Sequence, residues 1–511
     1  MTFRLLPRIA AAALAVGAWV SFARAESAPL VLGNRRELFV DDFLIAQSQN
    51  AVFLLHNPVR RELVLKFDAP WEGSGSDFER IIRVGDRIRM YYMATKLTVA
   101  NGTRLSHQPT YACLAESQDG IHWTRPNLGL FEFQGSKQNN IVWSAPKLDN
   151  FTPFLDTNPK CLAGERYKAT SRGEKALYGF KSADGIHWSR ISEQPIITFG
   201  WFDTQNNAFW DPVRQQYWCY VRGFHDRNGA DTTDTADGIR DIRVSTSADF
   251  HTWTQPKFLR FIDSPDEALY TNQVEPYYRA PQIFVGFPTR YVERNFTPAA
   301  MAALPDPGHR QRRMKFSRRF GLAVTDGQFM TSRDGYAFHR WNETFLPPGP
   351  QRDNNWIYGD GYKCLGLLET PSEDFGGENE LSFYADEGEW KEGRDGDSLR
   401  RYTIRIDGFV SLHANQARGE VVTKPIVFSG RTLSLNFATT AAGSIWVQLE
   451  DAAGRPLPGF TRNEADEIFG DKLDRTVTWQ NRSDVSSLAG QPIRIRLALR
   501  EADLYSLKFQ D

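Results

Sequence analysis

The sequence predicts an all-β protein, a five-bladed β-propeller followed by a C-terminal β-sandwich. Three observations support this prediction. A seven-residue turn pattern recurs along the chain, aromatic residues make up 13% of it with 14 Trp, and residues after about 414 form short alternating strands that carry no repeat. The predicted organisation is a signal peptide at 1–25, a propeller at 26–413 and an accessory sandwich at 414–511.

The recurring pattern reads Ser-x-Asp-Gly-Ile-His-Trp in its best copies, at 117–123 and 182–188, with weaker copies at 247–253 and 332–338. Asp119, Asp184 and Asp249 are each 65 residues apart, and Asp334 follows 85 residues later. Asp-Gly suits a hairpin turn that needs a positive φ. We therefore expect these aspartates to join the third and fourth strands of four blades, with the Trp packed between blades.

The first 25 residues begin with Arg4 and Arg8, continue with an apolar run at 9–20 and end with Ala-Arg-Ala at 23–25, which is typical of a secretory signal peptide. The apolar run is too short to cross a bilayer. We expect a periplasmic or secreted protein with no membrane insertion. A formal net charge of -1 gives no indication of a nucleic-acid partner, and the four cysteines have no zinc-type spacing. No metal or cofactor is predicted.

Five units are predicted to begin near residues 78, 154, 202, 272 and 358. In the last unit an acidic, glycine-rich stretch at 387–397 stands in place of the repeated turn. The first strand of a blade lines the central channel, and its start shares one face with the loop between strands two and three. Acidic residues near these starts should therefore meet at the channel mouth.

Carboxylates at one mouth suit the hydrolysis of a glycosidic bond, in which one acid protonates the leaving oxygen and a second carboxylate activates water or attacks the sugar. The candidates are Glu72, Asp77, Asp156, Asp203, Glu275 and Asp360. Side chains close to them, predicted with Glu72, Asp156 and Asp360 to bind the sugar, are Trp71, Asn158, Gln205, Asn206, Asn272 and Arg290.

With these residues, the stretch from 40 to 412 resembles the five-bladed propeller glycosidases, the superfamily of glycoside hydrolase families 43, 32, 62, 68 and 117. The resemblance implies that Asp77 is the base or nucleophile, Asp203 a supporting acid and Glu275 the general acid. Glu72 competes with Asp77 for the first role. The Asn-Asp-Pro-Asn signature of family 32 is missing from unit one. The resemblance is therefore to the superfamily and to no single numbered family.

The segment 290–319 carries eight basic and two acidic residues. We expect it to stand at the mouth as a lid in which Arg310, Arg312 and Arg313 bind an anionic substrate without supporting the fold, the alternative being a solvated loop.

The leading hypothesis is an exported glycoside hydrolase that cleaves a plant or algal oligosaccharide or polysaccharide, in which anionic sugars are one option. The alternatives are a carbohydrate-binding propeller without catalysis and, less favoured, an intermolecular scaffold. A base and an acid about 5 to 10 Å apart across the funnel would distinguish the enzyme.

Overall fold

The computed structural model describes residues 28–95, 97–100, 103–106, 110–145, 149–234, 237–294, 297–353, 355–372, 378–391 and 396–511. The predicted signal peptide lies outside these residues. Five sheets of four or five strands follow one another around a channel, and a ten-stranded sheet forms a separate C-terminal unit. The predicted fold class, a five-bladed propeller with a C-terminal sandwich, is confirmed.

The first two blades each have four antiparallel strands. From the channel outwards, those of blade I are Asp77–Val84, Arg87–Ala94, Tyr111–Ser117 and Ile141–Ser144. A hairpin of Leu97–Ala100 and Thr103–Ser106 extends the loop between its second and third strands. Those of blade II are Asp149–Leu155, Tyr167–Arg172, Leu177–Ser182 and Ser189–Arg190, with a 3-10 turn at Ala163–Glu165.

The next two blades repeat the plan with one insertion. The strands of blade III are Asn207–Asp211, Gln216–His225, Ile239–Ser247 and Lys257–Phe258. The strands of blade IV are Glu275–Tyr277, Ala280–Gly286, Met330–Ser332, Ala337–Arg340 and a parallel outer strand, Arg260–Ile262. Between its second and third strands lie a hairpin of Thr289–Glu293 and Ala323–Gly327 and the helices Pro298–Ala302, Pro307–Phe316 and Arg319–Leu322.

Blade V takes its outermost strand from the start of the chain. Its other strands are Leu368–Pro371, Asn379–Glu387 and Ser398–Ile404, and Val59–Lys66 pairs antiparallel with the last of these. The ring of blades closes because Val59–Lys66, from the N-terminal part of the chain, adds a strand to the sheet formed by residues 368–404.

The repeated aspartates form the predicted turns. In the first copy, Asp119 Oδ1 accepts hydrogen bonds from the backbone N–H of Ile121 and His122, both at 2.8 Å, and Gly120 has φ +77°. The Tyr384 hydroxyl of blade V donates to the Gly120 carbonyl at 2.6 Å. A tyrosine of the neighbouring blade also binds the second copy, where Tyr91 donates to Gly185, and the fourth, where Tyr220 donates to Gly335. These three turns therefore form hydrogen bonds between adjacent blades.

The C-terminal unit packs around a single apolar core that includes Trp479 and Phe509. Its strands are Val410–Ala414, Gly419–Thr423, Ile426–Phe428, Thr432–Asp451, Asp471–Thr476 and Ile493–Gln510, with a 3-10 turn at Ser486–Leu488. Four N-terminal strands join the same sheet: Leu30–Gly33, Arg36–Leu38, Ile45–Gln49 and Val52–Leu55.

The predicted propeller range of 26–413 is therefore too long at both ends. Residues 30–55 and the strand Val410–Ala414 belong to the sheet of the C-terminal unit, so the blades occupy about 59–404. Pairing between distant parts of a chain leaves no local sequence pattern, which explains the difference.

Candidate functional site

A cavity of about 460 Å³, here called the mouth cavity, opens where the innermost strands begin. Four carboxylates line it, those of Asp77, Asp149, Asp203 and Glu389. Its aromatic lining residues are Phe78, Tyr270, Phe320, Tyr358, Tyr362 and Trp390. Carboxylates set among aromatic rings make a site that can stack a sugar and exchange a proton with it.

Asp77 and Asp149 occupy the same position in neighbouring blades. Each is the first residue of an innermost strand, and the following residue has a positive φ, +58° at Phe78 and +52° at Asn150. In both strands the pairing register shifts directly after the aspartate. A bulge with left-handed backbone at a non-glycine residue is costly, and such strain is concentrated at functional sites, where it re-aims a side chain.

Asp149 is in an environment suited to an acid. Burial raises the pKa of Asp149 to about 6, Arg172 lowers it, and Asp203 raises it. Arg172 Nη1 lies 3.4 Å from Asp149 Oδ2 and 2.7 Å from Asp203 Oδ1. A carboxyl group with this pKa can hold a proton near neutral pH and give it to a leaving group.

Glu389 reaches the cavity from the loop between the second and third strands of blade V. Trp390 Nε1 donates to Glu389 Oε1 at 2.9 Å, and the Trp390 N–H donates to the Ser74 carbonyl at 2.8 Å. Gly359 makes room for it, because a Cβ there would meet Glu389 Oε2 at 1.4 Å. Glu389 and Trp390, from the described part of the acidic stretch, therefore lie at the mouth rather than in the place of the repeated turn.

A layer of buried carboxyl groups lies beneath this site. Burial raises the pKa of Asp386 and Asp397 well above the usual range, and the mutual repulsion of neighbouring carboxylates adds to the effect. Burial also raises the pKa of Glu79 and that of Asp360, the latter to about 7. Ser76 N–H donates to Asp397 at 2.6 Å, which ties this layer to the start of blade I. Burial and mutual repulsion therefore favour the protonated, uncharged form of the carboxyl groups in this layer.

A second cavity of about 1340 Å³, here called the arginine cavity, adjoins the mouth cavity. The two share Arg172, Asp203, Tyr270 and Arg319 as wall residues. Together they form a two-part cleft, with one carboxylate-rich part and one arginine-rich part.

Of the two residues that competed for the first catalytic role, only Asp77 lines the mouth cavity. Glu72 is fully buried and pairs with Arg125, whose Nε lies 2.7 Å from Glu72 Oε1. The Tyr92 hydroxyl and the Ala69 N–H also donate to it, at 2.5 and 2.9 Å. Trp71 is held in the same region by a 2.7 Å hydrogen bond to Asn140. Glu72 and Trp71 therefore belong to the packing of blade I.

Asp156 and Asn158 lie at the other end of the channel. The innermost strand of blade II is Asp149–Leu155, so Asp156 follows its end, where it pairs with Lys168 at 2.5 Å and accepts from Tyr217 at 2.7 Å. Asn158 donates to the same Tyr217 hydroxyl. The predicted start of this unit near residue 154 was wrong. Pro153 argued against a strand at this place in the sequence. The innermost strand of a blade is an edge strand, however, and an edge strand tolerates proline.

Asp203 lines both cavities, but Glu275 does not join it and Asp77 in the mouth cavity. Glu275 is held by Arg80 at 2.9 Å, three residues further along the innermost strand of blade I than Asp77. The mouth end of blade IV is instead at Gln273, whose φ of +41° matches that of Phe78 and Asn150. The predicted convergence of Glu275 with Asp77 and Asp203 was therefore wrong.

The polar residues predicted to bind sugar around Asp203 and Glu275 instead donate hydrogen bonds to backbone carbonyls beside the channel. Gln205 donates to the Phe78 and Glu79 carbonyls at 2.7 and 3.1 Å, and Asn272 donates to the Gln205 carbonyl at 3.1 Å. Asn206 donates to two carbonyls of its own turn. All three side chains are buried.

Arg290 is occupied by two carboxylates and lines neither cavity. It pairs with Asp326 at 2.7 Å and with Glu267 at 2.9 Å. Asp360 lies behind Glu389, accepting hydrogen bonds from the backbone N–H of Gly388 and Glu389 at 3.0 and 3.2 Å. Neither residue lines the cavities as a sugar-binding group would.

The basic segment does stand at the mouth, but two of its predicted lid arginines support the fold. Arg310 and Arg313 are 1% and 0% exposed. Arg310 donates to the backbone carbonyls of Pro305, Gly321 and Trp356, and Arg313 donates to that of Tyr358. Arg312 is exposed. The expectation that all three bind substrate without supporting the fold is wrong for the buried pair.

Among the described residues, no group of three or more His, Cys, Asp and Glu side chains could hold a metal ion. The four cysteines are not bonded to one another, and three of them are buried.

The site residues that the sequence analysis missed are Asp149, Glu389, Arg172, Arg222 and Arg240, whereas Arg319 belongs to the basic segment that was predicted to stand at the mouth. One signal was available for the first, since Asp149-Asn-Phe precedes an apolar run as Asp77-Phe-Glu does. The three missed arginines lie on strands of blades II and III, and nothing in their local sequence indicates that they meet.

No helix in the described part of the chain has the length and apolar character needed to cross a membrane. No protein-family model and no curated protein sequence matches the chain. Solved structures do match it. A glycoside hydrolase is 12% identical, with a TM-score of 0.42, covering 69% of this chain and 93% of that one.

Two further matches have lower TM-scores. A glycosyl hydrolase from Bacteroides ovatus is 12% identical, with a TM-score of 0.37, covering 74% of this chain and 96% of that one. An N-acetylgalactosamine deacetylase from F. plautii is 14% identical, with a TM-score of 0.37, covering 74% and 94%. At these values the matches assign no activity to the chain, whose five-bladed propeller is evident from its own strand order.

Proposed function

We propose that the protein is an exported glycoside hydrolase, periplasmic or secreted, that cleaves an oligosaccharide or polysaccharide of plant or algal type in the mouth cavity. The observation that supports this most strongly is that Asp77 and Asp149 hold equivalent strained positions in adjacent blades and line one cavity. Two carboxylates flanking one space are what glycosidic hydrolysis requires.

The roles follow from the surroundings of each carboxylate. Asp149, with its pKa raised to about 6 by burial, donates its proton to the glycosidic oxygen as the bond from the anomeric carbon to that oxygen breaks. Asp77 takes a proton from the attacking water, or itself attacks the anomeric carbon and is later released by water. Arg172 contacts both Asp149 and Asp203 and so positions the acid. The positive charge of Arg172 lowers the pKa of Asp149, and the negative charge of Asp203 raises it.

The aromatic residues that line the mouth cavity bind the sugar and exclude water from the site. Phe78 and Tyr362 stack at 6.3 Å, and Tyr270 stacks on Tyr362 at 5.3 Å. Their faces suit the apolar side of a pyranose ring, and a partly dehydrated site strengthens the electrostatic interactions within it.

The test is release of reducing sugar from defined neutral, uronic and sulfated oligosaccharides by the wild type, Asp77→Asn and Asp184→Asn. Asp184 belongs to a turn at the opposite end of the propeller, so its variant is the matched control. Asp77→Asn should lose about 10² to 10⁴-fold in kcat/KM with an unchanged Tm, while Asp184→Asn keeps its activity. Glycan binding without hydrolysis by the wild type would instead support a non-catalytic carbohydrate-binding propeller.

A further inference from the structure

The arginine cavity is positively charged. Seven cationic side chains and four acidic ones line it, an excess of three positive charges. It continues directly into the mouth cavity, because Arg172, Asp203, Tyr270 and Arg319 form walls of both. A chain of sugars that is cleaved beside Asp77 would therefore place its next residue against these cations.

Two of the four acidic residues that line this cavity are paired with arginines. Asp203 lies 2.7 Å from Arg172 and 3.8 Å from Arg222, and Asp231 pairs with Arg243. Within the part of the chain that the structure describes, no carboxylate is at salt-bridge distance from Arg240 or Arg319.

Arg240 and Arg319 are held in place by aromatic rings. The Arg240 guanidinium lies 4.7 Å from the centre of the Tyr291 ring and 5.4 Å from that of Phe224. The Arg319 guanidinium lies 4.5 Å from Phe320 and 5.6 Å from Tyr358. Rings fix the orientation of a guanidinium without neutralising it.

The two guanidinium groups are close enough to repel each other. Burial, followed by the charges of Arg222 and Arg319, lowers the pKa of Arg240. Arg240 Nε and Arg319 Nη1 are both buried without a hydrogen-bond partner among the described residues. A buried guanidinium N–H without an acceptor and the repulsion between neighbouring cations are both unfavourable, and a bound oxyanion would offset both costs.

We propose that Arg240 and Arg319 bind an oxyanion substituent, a carboxylate or a sulfate, on the sugar next to the cleaved bond. This rests on the proposed function for the position of the sugar. The substrate class would then be an anionic glycan, recognised by residues other than the buried arginines of the neighbouring helix.

The test is direct binding, measured by calorimetry at low ionic strength. The probes are inorganic sulfate, glucuronate and galacturonate, with glucose and galactose as neutral counterparts. The variants are Arg240→Gln, Arg319→Gln and, as a control from the same basic insertion, Arg312→Gln, which is exposed and lines neither cavity. Arg240→Lys retains the charge but not the fork of donors.

At least one anion should bind the wild type more tightly than its neutral counterpart. Affinity should fall about ten-fold or more in Arg240→Gln and in Arg319→Gln, remain unchanged in Arg312→Gln and be partly restored in Arg240→Lys. A preference for sulfate would identify a sulfated glycan, and a preference for a uronate would identify a uronic one.

Absence of anion binding, equal binding of neutral sugars, or unchanged affinity in both Gln variants with native Tm would overturn the inference. Failure of the proposed function looks different. Anion binding would then depend on Arg240 and Arg319 as expected, but no glycan in the panel would be hydrolysed.

Discussion

Replacing Asp149 by Asn removes the proton donor without changing its size. The carboxyl oxygen Oδ1 is buried, and Arg172 lies 3.4 Å from Oδ2. General acids contribute about 10² to 10⁴-fold to glycosidic cleavage, so kcat for an unactivated oligosaccharide should fall by that factor. An aryl glycoside whose leaving group departs without protonation should lose much less.

The pH profile provides the sharper measurement. With a pKa of about 6, Asp149 is protonated below that pH and loses its proton as the pH rises through it. The wild type should therefore lose kcat/KM above about pH 6, and at pH 7 only about one tenth of the enzyme should carry the required proton. In Asp149→Asn this alkaline decline should disappear.

Two neighbours should move that decline in opposite directions. Arg172 lowers the pKa of Asp149, so Arg172→Gln should shift the alkaline limb to higher pH. Asp203 raises it, so Asp203→Asn should shift the limb to lower pH. Because all three side chains are partly exposed, the shifts should be about half a unit to one unit. Shifts of the same sign, or equal loss on both substrates in Asp149→Asn, would refute the acid role.

Three further predictions concern stability. Glu72→Gln should lower the free energy of unfolding by about 3 kcal/mol in urea titrations, because it removes the buried carboxylate that pairs with Arg125, and loss of activity with full stability would contradict the structural role. The folded pKa of Asp360, about 7, exceeds the unfolded value of about 3.9, so the folded state binds more protons between these values and its stability falls as pH rises. Calorimetry should show that the free energy of unfolding falls with pH by up to about 4 kcal/mol less in Asp360→Asn than in the wild type. Parallel curves of stability against pH for the two proteins would contradict this prediction. Arg313→Gln should lower Tm by several degrees while Arg312→Gln leaves it unchanged, since only Arg313 is buried, and equal Tm values would show that Arg313 does not support the fold.

Four of the five blades could be located from the sequence because their turns are local. Asp119 and its three counterparts carry their own hydrogen-bond acceptor and a neighbouring positive-φ residue, so seven residues define each turn. The closure of blade V by Val59–Lys66 could not be predicted, since its pairing partner lies more than 300 residues away. The same holds for the N-terminal strands that join the C-terminal sheet.

The candidate site was predictable only in part. Asp77 and Asp203 were found from their places at the predicted starts of units one and three, and both line the mouth cavity. The prediction for Glu275 was wrong because the mouth end of blade IV is at Gln273, where φ is positive, and Glu275 lies deeper in the channel against Arg80. Asp149 was missed because a proline interrupted the strand pattern, and its role depends on a pKa that burial sets.

The central claim is that a glycosidic bond is cleaved between Asp77 and Asp149. A crystal structure of Asp77→Asn with a bound oligosaccharide tests it most directly, since this variant should bind its substrate without turning it over. The account predicts that the glycosidic oxygen lies within about 3 Å of an Asp149 carboxyl oxygen and that the amide introduced by the Asp77→Asn substitution faces the anomeric carbon. An oligosaccharide bound outside the mouth cavity, or one whose glycosidic oxygen faces Glu389 rather than Asp149, would contradict it.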